Sequence, residues 1–166
     1  MPELFSRFPE QDRGQRVGVA ARRSVLTLFA AFSVLALAGT FGQRTVTSQA
    51  SELTVHAPET VRGGLFWQAR IDVRATRPIQ HPRLVFADGW LEGMQVNSIE
   101  PAAQSESSRD GRLVLSYGSL QPGDELRIWM QFEVDPTNVG KRSMALELDD
   151  AETPIARIDR DIRVLP

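Results

Sequence analysis

The run Leu65-Phe66-Trp67-Gln68-Ala69-Arg70-Ile71-Asp72-Val73-Arg74 places Leu65, Trp67, Ala69, Ile71 and Val73 on one side and Gln68, Arg70, Asp72 and Arg74 on the other. Strict alternation of this kind predicts a strand with one buried and one wetted face. Arg77-Pro78 ends it. Going forward, Arg83–Ala87 is short and apolar, Asp88-Gly89 turns the chain, and Met94–Ile99 reads as a weaker strand between Gly93 and Pro101. Ala102–Gly111 is polar, a loop or exposed hairpin tip, and Leu113, Leu115 and Tyr117 alternate again. Leu120-Gln121-Pro122-Gly123-Asp124 has Pro and Gly placed for a tight turn. It feeds Leu126, Ile128, Met130, Phe132 and Val134, with Arg127, Trp129, Gln131 and Glu133 between them. Asp135–Asn138 closes that strand. Met144, Leu146 and Leu148 lead into the acidic turn Asp149–Glu152, and Ile158, Ile162 and Val164 follow. Going backward, Thr60–Gly64 is a turn, and Leu53, Val55 and Ala57 alternate with Thr54 and His56. Seven to nine short strands without a helical period predict an antiparallel β-sandwich over residues 53–166, and a single outer domain.

Ahead of the strands lies a stretch of another kind. Ser24–Gly42, SVLTLFAAFSVLALAGTFG, carries no charge, and as a helix it spans about 28 Å, close to the hydrocarbon thickness of a bilayer. Residues 1–23 hold five Arg against three acids, a net of +2, and the remainder holds 14 basic and 18 acidic residues, a net of −4. Arg22 and Arg23 abut the apolar run, whereas its far flank has only Arg44 before Arg62. The excess of arginine keeps the amino end cytoplasmic and sends residues 53–166 outside. The competing expectation is a cleaved export signal. Ala36-Leu37-Ala38 before Gly39 fits a cleavage site after Ala38, and Arg22-Arg23 resembles a twin-arginine signal. The uncharged run continues past that site through Phe41 and Gly42, which favours a retained anchor.

These features divide the chain into a cytoplasmic tail (1–23), a transmembrane helix (24–42), a linker (43–52) and an outer domain (53–166). The tail, with its prolines and glycines and the small cluster Leu4, Phe5 and Phe8, is expected to be flexible. The linker Gln43–Ser51 reaches at most about 30 Å, which holds the outer domain against the membrane surface. Thr27 with Ala31 and Ala38 with Gly42 are small residues four apart, the spacing that lets two helices approach closely.

Catalytic chemistry is not signalled. The chain has no cysteine, which excludes disulfides, thiol nucleophiles and Cys-ligated metals. Its two histidines, His56 and His81, lack metal-binding spacing, Met130 and Met144 fall on apolar faces, and no G-x-S-x-G or phosphate-cradling loop is present. Asp149 and Asp150 are expected to face water in their turn. The expectation is a protein that is not an enzyme, with no cofactor and no metal. The outer part has no basic stripe, so nucleic acid is not an expected partner. The binding signal lies in tryptophan. Trp67 belongs to the apolar face of its strand. Trp90, after the Asp88-Gly89 turn, is expected to be exposed at a loop, and Trp129 falls on a polar face beside Arg127. Trp90, Trp129 and Arg127 are the candidate partner-binding residues.

Leu120-x-Pro-Gly-Asp-Glu, followed by an alternating strand to Val134-x-Pro and then by Gly140 and another strand, resembles bacterial cell-surface immunoglobulin-like domains. In those domains a Leu-x-Pro-Gly-Glu-like turn joins two long strands late in the sandwich. The resemblance covers residues 115–148 directly and the rest by strand count; the Cys…Trp…Cys core of antibody domains is absent. It implies an Ig-like sandwich and an adhesive or accessory role. Together the readings predict a single-pass protein of the cytoplasmic membrane, an accessory or scaffold subunit whose partners are the lipid bilayer and an integral membrane protein. An envelope-glycan-binding module, using Trp90 and Trp129, is the alternative.

Overall fold

Alternation of apolar and polar side chains obliges each strand to find a partner face, and the computed structural model, which describes residues 9–38 and 43–166 with side chains from Val17 onward, shows where each finds it. The chain forms two units that divide between Gly42 and Gln43.

The first unit contains the helix α1 (Pro9–Leu37). Proline suits the first turn of a helix, because its fixed φ is already helical and its missing N–H has no partner to lose there. From Pro9 the helix runs unbroken into the apolar segment, since no further proline interrupts it. The expected flexible tail is therefore helical from Pro9 to Arg23, while Leu4, Phe5 and Phe8 lie outside the described residues. Within α1, Val17–Leu37 is a stretch of 21 residues long and apolar enough to cross a membrane; an export signal shares those properties. Two of its hydroxyls bond back to the helix, Thr27 Oγ1 donating to Arg23 O at 2.9 Å and Ser33 Oγ to Phe29 O at 2.8 Å. Such i−4 bonds keep a Ser or Thr hydroxyl paired within a helix.

The second unit is an antiparallel β-sandwich. One sheet takes β1 (Thr45–Ala50), β2 (Leu53–Pro58), β4 (Phe66–Arg74), β9 (Glu125–Val134) and β6 (Met94–Glu100), in the order β1-β2-β4-β9-β6. The other takes β12 (Thr153–Ile158), β11 (Leu146–Asp150), β5 (Pro82–Phe86), β8 (Arg112–Ser116) and β7 (Ser105–Arg109), in the order β12-β11-β5-β8-β7. A small third sheet joins β10 (Gly140–Ser143), β13 (Asp161–Leu165) and β3 (Thr60–Arg62), with β3 parallel to β13. The inward sides of β2, β4 and β9 meet Leu84, Phe86, Leu115, Leu146 and Leu148 of the facing sheet in one continuous core. At its centre Trp67 stacks on Phe132 with ring centroids 4.4 Å apart, and Phe86 meets Trp90 edge-on at 5.3 Å.

Three segments differ from the sequence reading for one reason. The expected linker contains β1, which pairs with β2 from Thr45↔Pro58 to Ala50↔Leu53, so the sandwich begins ahead of Leu53. The polar stretch 102–111 contains β7, and the expected turn at Thr60–Gly64 contains β3. All three strands lie at the ends of their sheets, where a strand is held by backbone pairing along one side. Their side chains need no strong apolar alternation, so composition hides them.

Candidate functional site

Because Trp67, Ala69, Ile71 and Val73 point inward, Arg70, Asp72 and Arg74 must stand on the outer face of the first sheet. Register then decides what each meets. Arg70 lies opposite Trp129, Asp72 opposite Arg127 and Arg74 opposite Glu125. His56 lies opposite Arg70, Thr47 opposite His56, and Glu100 opposite Trp129. Thr47, His56, Arg70, Trp129 and Glu100 thus form one row across all five strands.

The row is wired by hydrogen bonds. Thr47 Oγ1 stands 2.8 Å from His56 Nδ1, and an Arg70 Nη stands 2.7 Å from His56 Nε2. Arg70 Nε donates to Asp72 Oδ2 at 3.0 Å, and the same oxygen lies 3.1 Å from His56 Nε2. Arg127 Nε donates to Asp72 Oδ1 at 2.6 Å, while its Nη donates to Glu125 Oε1 at 2.6 Å. Partial burial works to raise the Asp72 carboxyl, but the Arg127 hydrogen bond and the charges of Arg70 and Arg127 hold it below the usual carboxylate range. Each arginine thereby has a carboxylate partner on the same face. The Arg70 guanidinium sits 5.6 Å from the centroid of the Trp129 ring, a cation–π distance. Trp129 is 39% exposed, and beside it lies a groove of about 340 Å³ lined by Thr45, His56, Gln68, Arg70 and Trp129. An amphipathic ring and a guanidinium over it thus stand together beside a shallow groove.

Of the candidate partner-binding residues, Trp129 and Arg127 share this face. Trp90 does not. It ends a 3-10 turn, Asp88–Trp90, that folds back over the core, and its side chain is fully buried with Nε1 donating to Ala145 O at 3.1 Å. Gly89 permits this approach, since a Cβ there would stand 2.1 Å from Ser143 O. The turn signal in the sequence is real; the loop simply returns inward, and the expectation of an exposed Trp90 is corrected. Thr27 and Ala31 lie on α1, Ala38 directly follows it with its N–H donating to Val34 O at 2.9 Å, and Gly42 lies outside the described residues.

Asp149 also departs from expectation. Its side chain is fully buried on the outer side of β11, where Arg109 Nη1 approaches its Oδ2 at 3.3 Å. Arg112 and Arg157 hold Glu147 beside it, so long basic side chains roof this part of the second sheet. Burial pushes the Asp149 carboxyl above the usual range, against the pull of Arg109. Asp150 instead accepts the His81 N–H at 2.7 Å. Among the described residues no three His, Cys, Asp or Glu side chains gather as metal ligands. The residues that sequence reasoning missed at the site are His56, Arg70 and Asp72. Their outward phase was visible in the alternation, but their mutual pairing depends on register between strands distant in sequence.

No family model and no curated protein matches this chain. Among solved structures, a similar one is described as the N-terminal domain of PorA, 8% identical over 72% of this chain and 82% of that chain, with a TM-score of 0.25. The sandwich architecture rests on the strand register given above.

Proposed function

We propose that this chain is a single-pass membrane-anchored accessory or scaffold protein, without catalytic activity of its own, that presents the outer face of its first sheet to an integral membrane protein outside the cytoplasm. The observation that carries this reading is the exposed Trp129 under Arg70, set in a row of hydrogen-bonded polar groups on the outer face of the sheet. Arg22 and Arg23 beside the apolar stretch support a cytoplasmic amino end. The Leu120–Asp124 turn, with Gly123 at a φ of +94° and Gln121 N–H donating to Asp124 Oδ2 at 2.7 Å, supports an Ig-like variant of the sandwich. Crosslinking in intact cells followed by mild-detergent purification tests the reading. A membrane protein captured by the wild type and lost with Trp129→Ala is the expected result; a solitary monomer under both conditions refutes it. Reporter fusions at Pro166 check the orientation, and mass spectrometry of the mature amino end checks that Ala38 is not a cleavage point.

The groove beside Trp129 favours a second reading, an envelope-glycan site in which Trp129 stacks on a sugar ring and Thr45, Gln68 and His56 supply polar contacts. With Trp90 buried, that reading rests on Trp129. Equal retention of wild type and Trp129→Ala on polysaccharide removes it.

A further inference from the structure

Within the sandwich, the point where the chain enters and the exposed apolar side chains share one end. Thr45 opens β1 opposite Pro58, the last residue of β2. His56 pairs with Arg70, and Phe66 at the start of β4 pairs with Glu133 near the end of β9. Following the register across the sheet, the start of β1, the end of β2, the start of β4 and the end of β9 all point the same way. There the turn at 62–65 and the loop after β9 pack against each other. Gly64 N–H donates to Val134 O at 2.8 Å, Val134 N–H to Leu65 O at 3.2 Å, and Gly63 N–H to Leu165 O at 2.8 Å. A Cβ on Gly63 would stand 2.9 Å from Pro136 O.

These two loops and the start of β4 carry Leu65, Val139 and Phe66, which are 49%, 51% and 56% exposed. With Trp129 they make up the large apolar side chains left exposed in residues 43–166. The opposite end of the same sheet is polar. There Glu52 accepts from Thr76 Oγ1 at 2.6 Å and from Ser51 Oγ at 2.8 Å, and Arg77 lies 3.8 Å away.

We propose that the Leu65–Phe66–Val139 end of the sandwich rests on the bilayer, with these side chains at the boundary between headgroups and acyl chains. The inference depends on the reading of α1 as a retained span. Residues 39–44 connect Ala38 to Thr45 and reach about 20 Å at full extension. Whatever path they take, they tether this end of the sandwich, and not the Glu52 end, to the apolar helix. A lipid surface is therefore the apolar partner this end meets by connectivity. Aromatic and aliphatic side chains on loop tips suit that boundary, where one side is wet and the other is hydrocarbon.

The chain has no cysteine, so single labels are clean. The full chain in phosphatidylcholine nanodiscs, nitroxide-labelled at Leu65→Cys, Val139→Cys, Gln121→Cys or Leu28→Cys, is tested by electron paramagnetic resonance with oxygen against a water-soluble nickel chelate. Labels at 65 and 139 are expected to show an oxygen-to-nickel collision ratio several-fold above that at 121 and approaching that at 28. Ratios at 65 and 139 equal to that at 121, with 28 lipid-accessible, overturn this proposal alone and leave the end free for a protein partner. A water-accessible label at 28 overturns both this proposal and the anchored reading beneath it.

Discussion

Arg70 and Trp129 face each other across β4 and β9, in register, with the guanidinium 5.6 Å from the indole centroid. They are 59 positions apart in the chain, and the alternation of each strand separately puts them outside. The pair covers part of the ring's surface and leaves the rest to solvent. Trp129→Ala should therefore remove the proposed binding surface at a cost of about 1–2 kcal/mol, from the lost cation–π contact and the covered part of the ring. Urea denaturation of the variant beside wild type checks that the fold survives, and the crosslinking experiment checks the loss of the proposed partner.

Trp90→Ala should behave in the opposite way. The ring fills the core between Phe86, Trp67 and Phe132, and truncating a buried aromatic leaves a cavity that costs about 3–5 kcal/mol. A midpoint in urea close to wild type would show that the indole is not a core element.

The 3-10 turn that delivers Trp90 depends on Gly89. Gly89→Ala forces a methyl group to within 2.1 Å of Ser143 O, a backbone atom, so the turn or β10 must shift at about 1–3 kcal/mol. Gly111→Ala, where a Cβ meets nothing within 4 Å, pays only for a φ of +81°. Thermal unfolding of the two variants should rank Gly89→Ala as the less stable.

Glu52 and Asp72, with Asp135, contribute to the acid side of the stability curve. The Glu52 carboxyl is held below its usual value first by the Thr76 hydrogen bond, against burial, and Asp72 is held low by Arg127 and Arg70. A carboxyl lowered in the folded state stabilises it above the unfolded-state value, and that contribution is lost as pH falls through the folded one. Wild type should lose stability as pH drops below the ordinary carboxylate range. Glu52→Gln should flatten that slope while lowering stability at neutral pH, measured as urea midpoints from pH 3 to 7.

Asp149 runs the other way. Its carboxyl is raised by burial, so its protonated form favours folding, and this contribution is present below the unfolded-state value and lost as pH rises through the folded one. Arg109 offsets the loss from a position that is 38% exposed. Arg109→Ala should cost about 1–2 kcal/mol at pH 7, discounted for solvent screening, and less near pH 4. A penalty independent of pH would show that Arg109 acts by packing alone.

The amino-acid sequence by itself determined the division into an apolar helix and a β-sandwich, and the inward face of each long strand. Those features follow from local periodicity: a side chain's direction on a strand depends on its neighbours two residues away, and an uncharged stretch needs no distant contact to be apolar. Thus Trp67, Met130 and Trp129 could be placed from their own strands. Tertiary structure decided what periodicity cannot carry. Trp90 follows a turn that a sequence reads as exposed, yet Gly89 lets that turn close over the core. Asp149 reads as a wetted turn acid, yet Arg109 arrives from another hairpin to roof it. The polar strands at the sheet ends, β1 among them, are held by backbone bonds to partners whose position only the fold supplies. The His56–Arg70–Trp129 row exists because strands distant in sequence align in one register, and register is a property of the sheet.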